Sequence, residues 1–135
     1  MKKYTAEHWQ IDLPETWQIE QLEDAVSFFD PDSNGTLMIS TLVEDETISD
    51  AFLEEMLEVH HNADAELYDI EYGPFAGVTC CYASEEEYWC EWYLIADNIM
   101  LYVTYNCPLA EEGAEDDLVE SILESLAEIR TLASH

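Results

Sequence analysis

Positive charge is almost missing from this chain. Its 135 residues hold three Lys or Arg against 32 Asp or Glu, a formal net charge of −29 at pH 7. Lys2, Lys3 and Arg130 are the entire Lys and Arg complement. Direct binding to nucleic acid or to an anionic membrane, each of which needs a positive protein surface, is therefore excluded. Glycine is scarce too: Gly35, Gly73, Gly77 and Gly113 stand far apart, and no glycine-rich phosphate loop exists. Cysteine is limited to Cys80, Cys81, Cys90 and Cys107, with no C-x-x-C pair, so neither a zinc site nor a dithiol redox site is expected. The four read as reduced, small apolar strand residues, with neighbours Cys80 and Cys81 facing opposite sides. No apolar run approaches the roughly 18 residues of a membrane-spanning helix. The opening "MKKYTAEHWQIDLPE" has two lysines but no apolar stretch behind them, unlike a secretory signal. A cytoplasmic location is expected.

Apolar residues are plentiful at 48%, so the charge is carried by a globular sequence. One domain over residues 1–135 is expected, long enough to bury a core without cross-links or metals.

The stretch "FFDPDSNGTLMIS" imitates a calcium loop, since Asp30, Asp32, Asn34 and Gly35 have suitable spacing. Such a loop closes with a bidentate Glu at its twelfth position, where this chain has Thr41. The flanks, Ala25–Phe29 and Leu37–Val43, are aromatic and branched and read as strands instead of the two helices required. Asn34-Gly35 between them predicts a hairpin with positive φ at the turn. No metal and no cofactor is expected.

Further strands are predicted at His8–Leu13, which Trp17–Ile19 either continues or follows as a second strand, and at Leu67–Tyr72, Phe75–Tyr82, Tyr88–Ala96 and Ile99–Asn106. Gly73-Pro74, Ser84–Glu87 and Asp97-Asn98 supply the last three turns. "YWCEWYLIA" contains one charged residue and "IMLYVTY" none, so both faces of this sheet should be covered. Two helices are available. One runs from Thr47 to His61, with Thr47 or Ser49 as its cap and Ile48, Phe52, Met56 and Val59 on one stripe. The second spans about Ala114 to Leu132, with Leu118, Ile122, Leu126 and Ile129 facing inward. The expected architecture is α+β, an antiparallel six- or seven-stranded sheet covered by two main helices. A homodimer interface could replace one cover.

Catalytic chemistry has no clear carrier. His60-His61 suits a helix C-terminus, and His8 has no identifiable partner. A non-enzymatic protein is expected.

The order of elements resembles the PsbP-like fold. The resemblance covers nearly the whole chain and rests on "LPETW", "FFDPDSNGTLMIS", "WYLIADNIMLYVTYNCP" and "ILESL". It extends to a family of small acidic bacterial proteins and, more distantly, to chaperones of that fold that load type VI secretion effectors. The resemblance implies a role in binding other proteins, and it brings no catalytic motif.

The acids form ladders. Asp50, Glu54 and Glu58 repeat every four residues on the first helix, as do Glu120, Glu124 and Glu128 on the second, with Asp117 nearby. Like charges at this spacing cost roughly 0.2–0.5 kcal/mol per pair. These seven residues are therefore candidates for docking a basic protein: a toxin domain, a secreted effector, or a nucleic-acid-binding protein blocked by phosphate mimicry. The C-terminal ladder is the favoured landing site. The alternative is a structural or housekeeping domain whose acidity serves solubility or salt adaptation. Against salt adaptation, Glu outnumbers Asp about two to one and aromatics are abundant.

Overall fold

A computed structural model describes residues 1–60 and 66–129. The elements in chain order are β1 (Lys2–Thr5), β2 (Trp9–Leu13), β3 (Gln18–Gln21), β4 (Val26–Phe29), β5 (Thr36–Val43) and α1 (Asp50–His60). There follow β6 (Tyr68–Tyr72), β7 (Phe75–Ser84), β8 (Glu87–Ala96), β9 (Ile99–Pro108), α2 (Asp116–Glu124) and β10 (Ala127–Glu128). Seven strands form one antiparallel sheet in the order β3-β4-β5-β9-β8-β7-β6. A second sheet, β1-β2-β10, has three strands. The architecture is the expected α+β type, but β2 leaves the main sheet to pair with β1 and β10.

Alternation along the long strands divides the main sheet into two faces. Phe28, Leu37, Ile39, Trp92, Leu94, Leu101 and Val103 point to the inner face and are buried against Trp9, Ile11 and Leu13 of the small sheet and Val119, Ile122 and Leu123 of α2. The outer face is covered at one end by α1, where Phe52, Leu53, Met56 and Leu57 pack on Tyr93, Met100 and Tyr102. Towards its other end Thr36, Met38, Tyr82, Trp89, Thr104 and Asn106 stay half-buried.

The β4–β5 hairpin forms as predicted, pairing Val26 with Ile39 and Phe28 with Leu37. Its turn does not. Residues 30–35 make a six-residue connection, and neither Asn34 nor Gly35 has positive φ. The Asp30 carboxylate accepts the Asp32 N–H at 2.9 Å, and Asn34 Nδ2 donates to Glu111 Oε2 at 2.9 Å. Gly35 answers a different need: a Cβ there would collide with the Tyr105 hydroxyl and Glu115 Oε1. The tight turns lie elsewhere, with positive φ at Gly73, Glu85 and Asp97.

The C-terminal helix is shorter than predicted. The apolar period runs on through Leu126 and Ile129, yet α2 ends at Glu124. Ser125 Oγ donates to the Ile122 carbonyl and accepts the Asp12 N–H at 2.7 Å, which ties the chain to β2. Ala127 and Glu128 then pair with Gln10 and Trp9 as β10. Residues 130–132 of the predicted helix, and His61 of the first, lie outside the described residues. The first helix otherwise follows its prediction, with Ser49 as its cap: Ser49 Oγ accepts the Phe52 N–H at 3.2 Å. Thr47 donates instead to Asp97 Oδ1 at 2.7 Å.

Candidate functional site

Among the described residues the cations gather at one end of the molecule. Lys3 Nζ lies 3.7 Å from Asp12, the N-terminal amine 3.4 Å from Glu15, and Lys2 donates to the Trp17 carbonyl. No described Lys or Arg reaches either helix. Tyrosine hydroxyls take their place at Glu91, Glu115 and Glu120. Tyr72 donates to Glu120 at 2.8 Å and Tyr105 to Glu115 at 2.6 Å, fastening α2 and the residue before it to the sheet. On the outer face Glu91 is only 4% exposed and receives Tyr82 at 2.5 Å and Tyr93 at 2.9 Å. Burial raises all four hydroxyls well above the ordinary tyrosine value, and each carboxylate partner adds to the rise. These hydroxyls therefore stay protonated donors far beyond neutral pH. The sequence holds eight tyrosines and three Lys or Arg, an imbalance that signals this substitution of donors, but the pairs are remote in sequence except for Tyr93 and Glu91.

Cys80 sits beside this network, and burial, with the Glu91 charge, pushes its thiol up to about 11. Such a group is a thiol at neutral pH and is poorly suited to nucleophilic attack. The expectation of four reduced cysteines is overturned at two of them. Cys81 and Cys90 are directly opposed in the β7–β8 register, 4.1 Å apart at Cα, and form a disulfide. Spacing along the chain cannot show that pairing; it needs the strand register. Cys80 and Cys81 do face opposite sides, one buried and one exposed.

The predicted acid faces fare differently. Asp50, Glu54 and Glu58 are all exposed along α1, a continuous stripe turned away from the sheet. The C-terminal ladder is broken. Asp117, Glu120 and Glu124 are exposed on α2, but Glu120 is held by Tyr72, and Glu128 belongs to β10 and is half-buried. The straight three-glutamate stripe predicted there does not exist, because the helix that was to carry it ends at Glu124.

Two grooves flank the far end of β5. One, of about 490 Å³, runs between the small sheet and the β3–β4 turn, with Tyr4 and Trp9 as its aromatic wall and Glu7, Glu23 and Asp24 along it. The other, of about 230 Å³, opens on the opposite face between Leu42, Met56, Met100 and Tyr102. Trp9 Nε1 donates to Thr41 Oγ1 at 2.8 Å where the two sheets meet.

No protein-family model and no curated protein matches the chain. Solved structures do. A protein of Bacteroides thetaiotaomicron VPI-5482 superposes with a TM-score of 0.72 at 19% identity over 98% of this chain. The chain spans 50% of the length of that protein. Cyanobacterial PsbP (CyanoP) from Synechocystis sp. PCC 6803 gives 0.64 at 12% identity, covering 95% of this chain and 92% of its own. The fold is PsbP-like. LpqN of Mycobacterium tuberculosis, involved in cell envelope biogenesis, gives 0.59 at 13% identity, covering 90% of this chain and 83% of its own. At these identities the likeness concerns the PsbP-like fold and carries no site residue across.

Proposed function

We propose that this PsbP-like protein is a non-enzymatic binding module that docks a basic protein through its acidic surface. The observation behind this reading is the Asp50, Glu54 and Glu58 stripe. All three residues are exposed, they repel one another, and no described Lys or Arg relieves them. Such a face accelerates encounter with a positive surface and makes the association rate fall with salt. Asp117 and Glu124 on α2 extend the negative field without forming a stripe of their own. A toxin domain held by its immunity protein, an effector held by its chaperone, or a nucleic-acid-binding protein held by a phosphate mimic would each present the required positive surface.

The competing reading is a structural or housekeeping domain whose acids serve solubility alone. It is favoured by their spread beyond the helices, to Asp69, Glu71, Glu85 and Glu86 on strands and turns. Affinity capture from the source cells at about 0.15 M salt, where charges reach only about 8 Å, separates the two. The wild-type chain should retain a basic protein that the variant Glu54→Lys/Glu58→Lys does not. Asp50 is left in place because an acid in the first helical turn supports the helix dipole. Equal recovery of a basic protein by both chains would move the docking site away from α1, and recovery of nothing basic would leave solubility as the account.

A further inference from the structure

Among the described residues the second half of β5 pairs with one neighbour. Residues Thr36–Val43 pair along their whole length with β9, but β4 pairs only with Leu37, Met38 and Ile39 before the chain turns away at 22–25. Ser40 to Val43 thus present a free strand edge among the described residues, about 13 Å long at roughly 3.3 Å per residue. Leu42 and Val43 are 38% and 46% exposed there, apolar side chains on successive, opposite faces. Natural sheets usually blunt such an edge with lysine, proline or a bulge, and this one carries none of these at positions 40–43.

The two grooves lie on either side of this same edge. Thr41 and Val43 border the aromatic, acid-lined groove, and Ser40 and Leu42 border the apolar one. A strand added to β5 would send alternate side chains into each. We infer that the Ser40–Val43 edge accepts an extended segment of a partner protein by strand addition, basic side chains entering the acid-lined groove and apolar ones the groove beneath α1. This rests on the basic-partner reading above and gives it a seat. Charge selects the occupant. Glu7, Glu23 and Asp24 line one groove, and Glu44, Asp45 and Glu46 follow directly on β5. A second copy of this chain would bring a like-charged edge against these acids, each copy carrying −29, so a basic heterologous segment is the occupant that fits.

The probe is a synthetic peptide of four lysine–valine repeats, acetylated and amidated at its ends, whose residue types alternate between faces when extended. Calorimetry in 0.15 M salt should give saturable one-to-one binding to the wild-type chain. A block peptide of the same composition, with all its lysines preceding all its valines, should bind at least tenfold more weakly. N-methylation of all lysine amides removes the donors of one strand edge, and N-methylation of all valine amides removes those of the other. One of these two peptides should lose at least tenfold in affinity, at unchanged charge. Glu23→Lys/Asp24→Lys and Leu42→Arg, each with a retained far-ultraviolet spectrum, should also weaken binding at least tenfold, while Glu54→Lys/Glu58→Lys should change it less than threefold. Equal binding of parent, block and both methylated peptides would overturn the inference and leave only diffuse charge attraction. Loss through Glu54→Lys/Glu58→Lys but not through the edge variants would overturn it while keeping the basic-partner reading. A wild-type dimer in light scattering, dissociated by Leu42→Arg, would overturn it in favour of a second copy.

Discussion

Leu101 and Val103 are sealed beneath the small sheet and α2, while Thr104 and Asn106, neighbours on the same strand, stand half-buried on the other side. The inner face of the seven-stranded sheet is buried along its middle, from Phe28 and Leu37 to Trp92 and Leu94, with hydroxyl–carboxylate bonds at Tyr72 and Tyr105 where α2 is fastened. The outer face is dry only where α1 lies, and elsewhere it exchanges packing for hydroxyl–carboxylate bonds around Glu91. A chain so poor in cations cannot neutralise a buried carboxylate with an ammonium or guanidinium. It uses neutral donors, which keep their hydrogen bonds without adding positive charge. The surface away from the β1 end is thereby left negative.

The largest expected effect falls on both faces together. Tyr72 and Tyr105 serve the inner side, Tyr82 and Tyr93 the outer, and all four hydroxyls are raised in the fold above their unfolded value near 10. A group raised on folding contributes stability that is fully present below its unfolded value. That stability is lost as the pH climbs through the folded value. The protein should therefore hold its stability from neutrality to about pH 10 and unfold cooperatively above it. Absorbance near 295 nm should show these tyrosines ionising together with the loss of circular dichroism. Smooth ionisation near pH 10 in a chain that stays folded would show that the hydroxyls are not held.

Packing should distinguish the faces sharply. Leu101→Ala on the inner face, at 0% exposure, should cost roughly 2–5 kcal/mol in urea denaturation. Met38→Ala on the open part of the outer face should cost about 1 kcal/mol or less, as partly exposed sites do. Equal costs would mean that both faces are equally sealed in solution.

The Cys81–Cys90 bond closes a nine-residue separation. By the chain-entropy relation its reduction should cost up to about 3 kcal/mol. Thiol titration of the unfolded, unreduced protein should find two thiols, those of Cys80 and Cys107. Finding four would show that the cross-link does not form in the cells that made the protein. On the outer face, Glu91→Leu would strand the Tyr82 and Tyr93 hydroxyls and should cost about 1–3 kcal/mol. The triple variant Tyr82→Phe/Glu91→Leu/Tyr93→Phe should recover part of that loss, because it removes both stranded donors along with their acceptor.

Much of this was legible in the chain, and what was not has local causes. Six of the seven main-sheet strands and α1 follow from apolar runs and turn residues. The hidden parts depend on partners distant in sequence. Nothing before Trp9 marks Lys2–Thr5 as a strand, since it is made by pairing with β2. Leu126 and Ile129 keep a helical period across a break that Ser125 makes by binding Asp12, 113 residues earlier. The same blindness moved the expected landing site to a ladder whose last rung, Glu128, is in a strand. Thr104 and Asn106 were a polar signal on β9 that the outer face opens beyond α1. The absence of charge in "IMLYVTY" had suggested cover along its whole length. The tyrosine–carboxylate bonds could be anticipated in kind from the shortage of cations, but not in their pairing.

The central claim is that the α1 acids are kept for a partner at a cost to the fold. One comparison tests it: melting at 0.01 M salt alongside association kinetics with the captured basic protein, for wild type and Glu54→Lys/Glu58→Lys. At that salt charges reach about 30 Å, so relief of repulsion should raise the melting temperature of the variant by a few degrees. Its association rate should fall at least tenfold, with a shallower salt dependence. A variant that melts higher yet associates at the wild-type rate, with the wild-type salt slope, would contradict the claim and leave these acids as a solvated surface.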